Sequence, residues 1–83
     1  MSAATNQIRA YWNGTEILNG KCSKALACQI IRGFADDFAG KSHAAVIEEA
    51  ERIAVRLLNA SAGASTYFHF KDDTGEIEVY VNI

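Results

Sequence analysis

The stretch TYFHFKDDTGEIEVYVNI, residues Thr66–Ile83, decides the fold of this chain. Two alternating segments flank the turn Asp72-Asp73-Thr74-Gly75. Side chains of a strand point alternately to opposite faces. Phe68 and Phe70 therefore share a face with Ile77, Val79, Val81 and Ile83, and this face is made to be buried. Tyr67, His69 and Lys71 share the other with Glu76, Glu78 and Tyr80, an aromatic and charged surface. A four-residue turn pairs Lys71 with Glu76, Phe70 with Ile77, His69 with Glu78, Phe68 with Val79 and Tyr67 with Tyr80. Every pair is chemically compatible: opposite charges, an imidazole with a carboxylate, apolar with apolar, and one aromatic pair.

A second hairpin is expected near the start. Ile8–Trp12 and Thr15–Leu18 flank Asn13-Gly14, and both turn residues tolerate the positive φ that a type I′ turn needs. Such a turn pairs Trp12 with Thr15, Tyr11 with Glu16, Ala10 with Ile17 and Arg9 with Leu18. Ile8, Ala10, Trp12 and Ile17 are then inward, and Arg9, Tyr11, Glu16 and Leu18 outward. Asn19-Gly20 is read as a second turn that ends the hairpin.

Two helices fill the middle. Ser23 is placed as the N-cap of a helix over Lys24–Ala39, with a stripe of Leu26, Ile30, Phe34 and Phe38 widened by Ala27 and Ile31. Gly40 stands as its terminator, and Gly33 as either a close helix crossing or a tolerated break. Ser42 caps a helix over His43–Ala60, with Val46, Ala50, Ile53, Ala54 and Leu57 as its core stripe and Ile47 and Leu58 beside it. Glu48 is set to pair with Arg52 one turn on. Val55 lies on the polar side, where with Ala44, Ile47 and Leu58 it would need a partner to cover it. After the loop Ser61–Ser65 the order is ββααββ. The expected fold is α+β: one domain over residues 1–83, a four-stranded antiparallel sheet with two helices packed on one face.

Composition narrows the function. With 83 residues, 49% of them hydrophobic and 22% charged, the chain is an ordinary small globular domain. No apolar run reaches the roughly 20 residues of a membrane helix, and Met1–Gln7 lacks the make of a signal peptide. A cytoplasmic protein away from membranes is expected, with Asn13-Gly14-Thr15 and Asn59-Ala60-Ser61 as chance glycosylation triplets. Cys22 and Cys28 are expected as buried reduced thiols rather than a disulfide framework. Their spacing, even with His43, falls short of a zinc site, so neither metal nor cofactor is expected.

Charge is segregated. Residues 1–32 carry Arg9, Lys21, Lys24 and Arg32 against Glu16 alone. Residues 33–51 carry Asp36, Asp37, Glu48, Glu49 and Glu51 against Lys41, and residues 71–83 carry Asp72, Asp73, Glu76 and Glu78 against Lys71. A nonspecific nucleic-acid binder is normally basic, and this chain has a net charge of −2. Acidic patches suit a basic protein partner instead. His69 opposite Glu78 has the form of a base with its orienting carboxylate, but no nucleophile lies near and an open sheet does not exclude water. The chain is therefore read as a non-enzyme.

In length and in its acidic groups Asp36-Asp37, Glu48-Glu49-x-Glu51 and Asp72-Asp73, the chain resembles small phage-encoded anti-CRISPR-type inhibitors. That resemblance implies a protein in the host bacterial cytoplasm that blocks a nucleic-acid-targeting complex by protein–protein occlusion. The residue reading agrees on a non-enzymatic protein-binding module, an inhibitor or adaptor. Its outer face is Tyr11, Tyr67, His69, Glu78 and Tyr80, with Asp36, Asp37, Glu48 and Glu51 as a second, acidic surface. The partner is another protein or a second copy in a homodimer. The alternative is a small regulator, as a monomer or a dimer, that stacks nucleic-acid bases on the aromatic face.

Overall fold

A computed structural model describes residues 6–38, 43–73 and 75–83. Strands β1 (Asn6–Trp12) and β2 (Thr15–Cys22) precede helices α1 (Lys24–Phe38) and α2 (His43–Leu58), and β3 (Ser65–Asp72) and β4 (Gly75–Asn82) close the chain. The four strands form one antiparallel sheet in the order β2-β1-β4-β3. The α+β order ββααββ is as expected. The first and last strands are central neighbours, pairing Ile8 with Val81, Ala10 with Val79 and Trp12 with Ile77. An edge-pairing role for Ile77–Ile83 is therefore excluded, because β4 lies inside the sheet and the edges are β2 and β3.

The closing hairpin follows its sequence register at every pair, Tyr67 with Tyr80 and His69 with Glu78 among them. Phe68, Ile77, Val79 and Val81 are buried, and Phe70 and Ile83 pack half-buried against them. Gly75 makes the tight turn possible. Its φ is 153°, and a Cβ there would stand 2.7 Å from Cζ2 of Trp12.

The first hairpin departs from its expected register. Asn13 (φ 51°) and Gly14 (φ 84°) form the positive-φ turn, and Trp12 pairs with Thr15 and Tyr11 with Glu16. A β-bulge then slips the ladder, so Ala10 faces Leu18, Arg9 faces Asn19 and Ile8 faces Gly20. A bulge sets two residues of one strand against one of the other. Leu18 accordingly packs against the core instead of facing out, while Ile17, expected inward, is 48% exposed. Asn19-Gly20 is no turn either: β2 runs on to Cys22, which is buried.

Ser23 caps α1, its hydroxyl accepting from the Leu26 amide at 3.1 Å. The buried stripe of α1 is Ala27, Cys28, Ile31 and Ala35, with Ile30 and Phe34 at its border. Leu26, expected inside, is 45% exposed. The reason is rotational: the buried face runs through Ala27, Ile31 and Ala35, one turn apart, with Cys28 beside them, and this turns Leu26 outward. Nothing lies within 4 Å of a Cβ built on exposed Gly33, so it marks no close crossing. In α2 the expected stripe Val46, Ala50, Ile53, Ala54 and Leu57 is buried throughout. The expected roles of Gly40 and Ser42, and of the Phe38 and His43 side chains, lie outside the described residues.

The helices join each other through Arg32 and Glu51, whose guanidinium and carboxylate meet at 2.7 and 3.1 Å. Within the contact, the Cys28 thiol lies 3.6 Å from the Ala54 carbonyl. Helix α2 packs mainly on β3 and α1 on β4. Both thus cover the side of the sheet that carries Phe68 and Val79, and Tyr67 and Tyr80 are left on the other.

Candidate functional site

Three strands build the open face. Alternation puts Gln7, Arg9 and Tyr11 of β1 beside Glu78, Tyr80 and Asn82 of β4, and these in turn beside Ser65, Tyr67 and His69 of β3. The sequence expectation brought Tyr11, Tyr67, His69, Glu78 and Tyr80 together, and the register does so. The rings of Tyr67 and Tyr80 stack at 4.8 Å between centroids, 26° apart in plane. Tyr11 meets Tyr80 edge-on at 5.8 Å. On the other side His69 stacks on Tyr67 at 5.8 Å. Four rings therefore cross the face in one line: Tyr11, Tyr80, Tyr67, His69.

Glu78 fixes this row. Its Oε2 accepts from both the Tyr67 and Tyr80 hydroxyls, each at 3.1 Å. Desolvation, the bond to Glu78 and that carboxylate's charge together push the Tyr67 phenol well above the ordinary tyrosine range. Tyr80 moves in the same direction, with desolvation again first and Glu78 second. With both phenolic protons committed to Glu78, the exposed ring surfaces are what a partner would meet. Tyr67 is 43% and Tyr80 38% exposed.

His69 does not bond its cross-strand partner. Its Nε2 lies 2.6 Å from Oε2 of Glu76, leaving Glu78 to the tyrosines. The expected His69–Glu78 pair is thus replaced by a diagonal contact, which long side chains reach across neighbouring pairs. Among the described residues no group of three or more His, Cys, Asp or Glu is arranged to hold a metal ion. Cys22 and Cys28 are free and buried. Burial pushes both thiols up; for Cys22 the neighbouring Cys28 adds to it, while for Cys28 Arg32 pulls down and Glu51 pushes up.

Sequence reading missed the polar end of the face. Gln7 donates to Asn19 at 3.1 Å and Ser65 to Asn82 at 3.0 Å. A depression running along β1 and β4 is lined by Gln7, Arg9, Tyr11, Gly14, Glu78, Tyr80 and Asn82. Extending the alternation of β1 by one residue to Gln7 would have found half of it. The β2 contribution was hidden by the bulge.

The acidic surface is less uniform than its residues suggest. Asp36, Asp37 and Glu48 are exposed. Glu51, however, is held by Arg32, whose hydrogen bonds keep its carboxyl below the usual range. Arg52 bonds Glu49 at 2.6 and 3.2 Å, not the expected Glu48. This leaves Asp36, Asp37 and Glu48 as the open carboxylates of the group.

Compared with known protein families, curated proteins and solved structures, the chain matches none. No helix among the described residues is long and apolar enough to cross a membrane.

Proposed function

We propose that this chain is a non-enzymatic protein-binding module that docks through the tyrosine side of its sheet and acts as an inhibitor or adaptor. One observation carries the reading: Tyr67 and Tyr80 are stacked, tied at their hydroxyls to one carboxylate, and still exposed. Aromatic anchors dominate protein interfaces. Anchors held in place before binding lose little conformational entropy when a partner arrives. Gln7, Arg9, Lys71 and Asn82 surround the rings with hydrogen-bonding groups, the composition of an interface rim.

Glu76 and Glu78 weigh against a nucleic-acid ligand. They stand among the rings, where a backbone phosphate would meet negative charge. On this reading the partner is a protein. A bacterial nucleic-acid-targeting complex, the class implied by the anti-CRISPR resemblance, is the first to test, and a second copy of this chain is the next.

The experiment is a differential capture from bacterial lysate with the wild-type protein and the double variant Tyr67→Ser/Tyr80→Ser. The reading expects proteins held by the wild type and released by the variant, whose circular dichroism stays native. Identical captured sets from the two baits would refute it.

A further inference from the structure

The strand registers fix an order of charge across the open face. Level with the stacked pair Tyr67 and Tyr80 stand Arg9 of β1 and Asn19 of β2. One step toward the end where β1 begins stand Ser65, Asn82, Gln7 and Lys21. One step the other way stand His69, Glu78, Tyr11 and Glu16, and beyond them Lys71 and Glu76. Among the described side chains, one half of the face therefore holds Arg9 and Lys21 with no carboxylate. The other half holds Glu16, Glu76 and Glu78 against Lys71, with His69 bonded to Glu76.

Arg9, Lys21 and Glu16 are exposed and have no ion-pair or hydrogen-bond partner among the described residues. Residues 1–5, which lead into the basic half, contain no Asp or Glu. The cations Arg9, Lys21 and Lys71 equal in number the carboxylates Glu16, Glu76 and Glu78. The face is thus neutral in sum and dipolar along its strands. A uniformly basic or uniformly acidic partner would be drawn to one half and repelled by the other. A surface of the same make, turned end for end, is matched at both. Matching itself after a half-turn is what a two-fold interface demands of a patch.

We propose that the open face binds a second copy of this chain in a two-fold dimer, packed face to face with the axis running across the strands. This rests on the tyrosine side being the docking surface and names its partner. An axis between the levels of Tyr80 and Glu78 lays β1 over β1 in the reverse direction, an aligned packing of two sheets. Arg9 then lies over Tyr11 of the second copy, with Glu16 and Glu78 of that copy on either side. It meets an aromatic ring and two carboxylates at once. The stacked tyrosines lie over His69 and Glu78 of the second copy, and every contact occurs twice. An axis along the strands would instead set basic half on basic half. A different protein that uses the rings must displace the second copy, so self-association limits the inhibitor or adaptor.

Sedimentation equilibrium of the full chain, from low micromolar to millimolar concentration, reads the dimer constant. The wild type is expected to dimerise, less tightly as salt is added. Arg9→Glu and Glu16→Arg should each weaken the dimer by about tenfold or more, the lower end of the coupling between close interfacial charges. Mixed in equal amounts, the two variants should form a heterodimer of near wild-type strength, because each reversed charge then meets an opposite one. Circular dichroism checks that both stay folded, and the salt series reads the same pairs without any substitution. A wild type that stays monomeric overturns the proposal, while the tyrosine reading is still decided by the lysate capture. A dimer indifferent to salt and to both reversals, or variants that do not pair with each other, overturns it as well. So does a dimer that survives Tyr67→Ser/Tyr80→Ser, since it then uses another surface.

Discussion

The two hairpins begin from the same pattern, alternating strands about a glycine-containing turn, and end differently. β3 and β4 keep one register along their whole length and so divide cleanly into a buried and an open face. β1 and β2 hold register for two pairs and then slip. The regular hairpin supplies three of the four rings of the row and the carboxylate that orders its tyrosines. The bulged one breaks the alternation and leaves a hollow beside Trp12 and Ile17. Strict period makes a flat surface; a one-residue defect makes a concave one.

The sharpest way to break this comparison is to cross the faces of β3. Phe68 is fully buried, and Phe68→Ala should cost about 3–5 kcal/mol by urea denaturation. Its neighbour Tyr67→Ser should cost about 1–2 kcal/mol, since a half-exposed ring loses its stacking on Tyr80 and His69 and one surface hydrogen bond. Similar costs at both positions would mean that the faces are not segregated.

Next comes the turn of the regular hairpin. Gly75→Ala puts a methyl group 2.7 Å from the Trp12 ring and should destabilise by about 1–3 kcal/mol, with altered Trp12 emission. A neutral substitution would show that the indole does not lean on this glycine.

The bulge is tested by two adjacent residues. Leu18→Ala should cost about 1–2 kcal/mol and Ile17→Ala less than about 1 kcal/mol, because only Leu18 packs against the core. The unslipped register predicts the reverse order.

The smallest effect concerns alkaline pH. Tyr67 and Tyr80 are raised in the folded state, so above the ordinary phenol pKa the unfolded chain gives up protons that the folded one retains. Their stabilisation is complete below about pH 10 and declines as pH rises from there through the folded-state values. Chemical denaturation between pH 8 and 11 should show this decline at its upper end. The decline should be weaker in the double variant Tyr67→Phe/Tyr80→Phe.

How far the sequence reveals all this follows the same division. The closing hairpin was legible because each of its pairs made sense alone and no residue was skipped. The stripe of α2 was legible because large apolar residues mark it. In α1 the expected stripe held Ala27 and Ile31, which are buried, but it also took in Leu26, which is exposed, and it missed Cys28 and Ala35, whose small size carries little signal. The bulge left no local mark: Ile17 and Leu18 are equally apolar, and only pairing with Ala10 decides between them. The open ring row was visible as a set of residues, but its hydrogen bonds were not. Cross-strand position suggested His69 with Glu78, while side-chain reach gives His69 to Glu76 and both phenols to Glu78.

The account rests on which side of the sheet meets water, and paramagnetic solvent relaxation in NMR measures this ring by ring. With a soluble gadolinium chelate, the ring protons of Tyr67 and Tyr80 should relax strongly and those of Phe68 hardly at all. Relaxation of the two tyrosines as weak as that of Phe68 would contradict an open face.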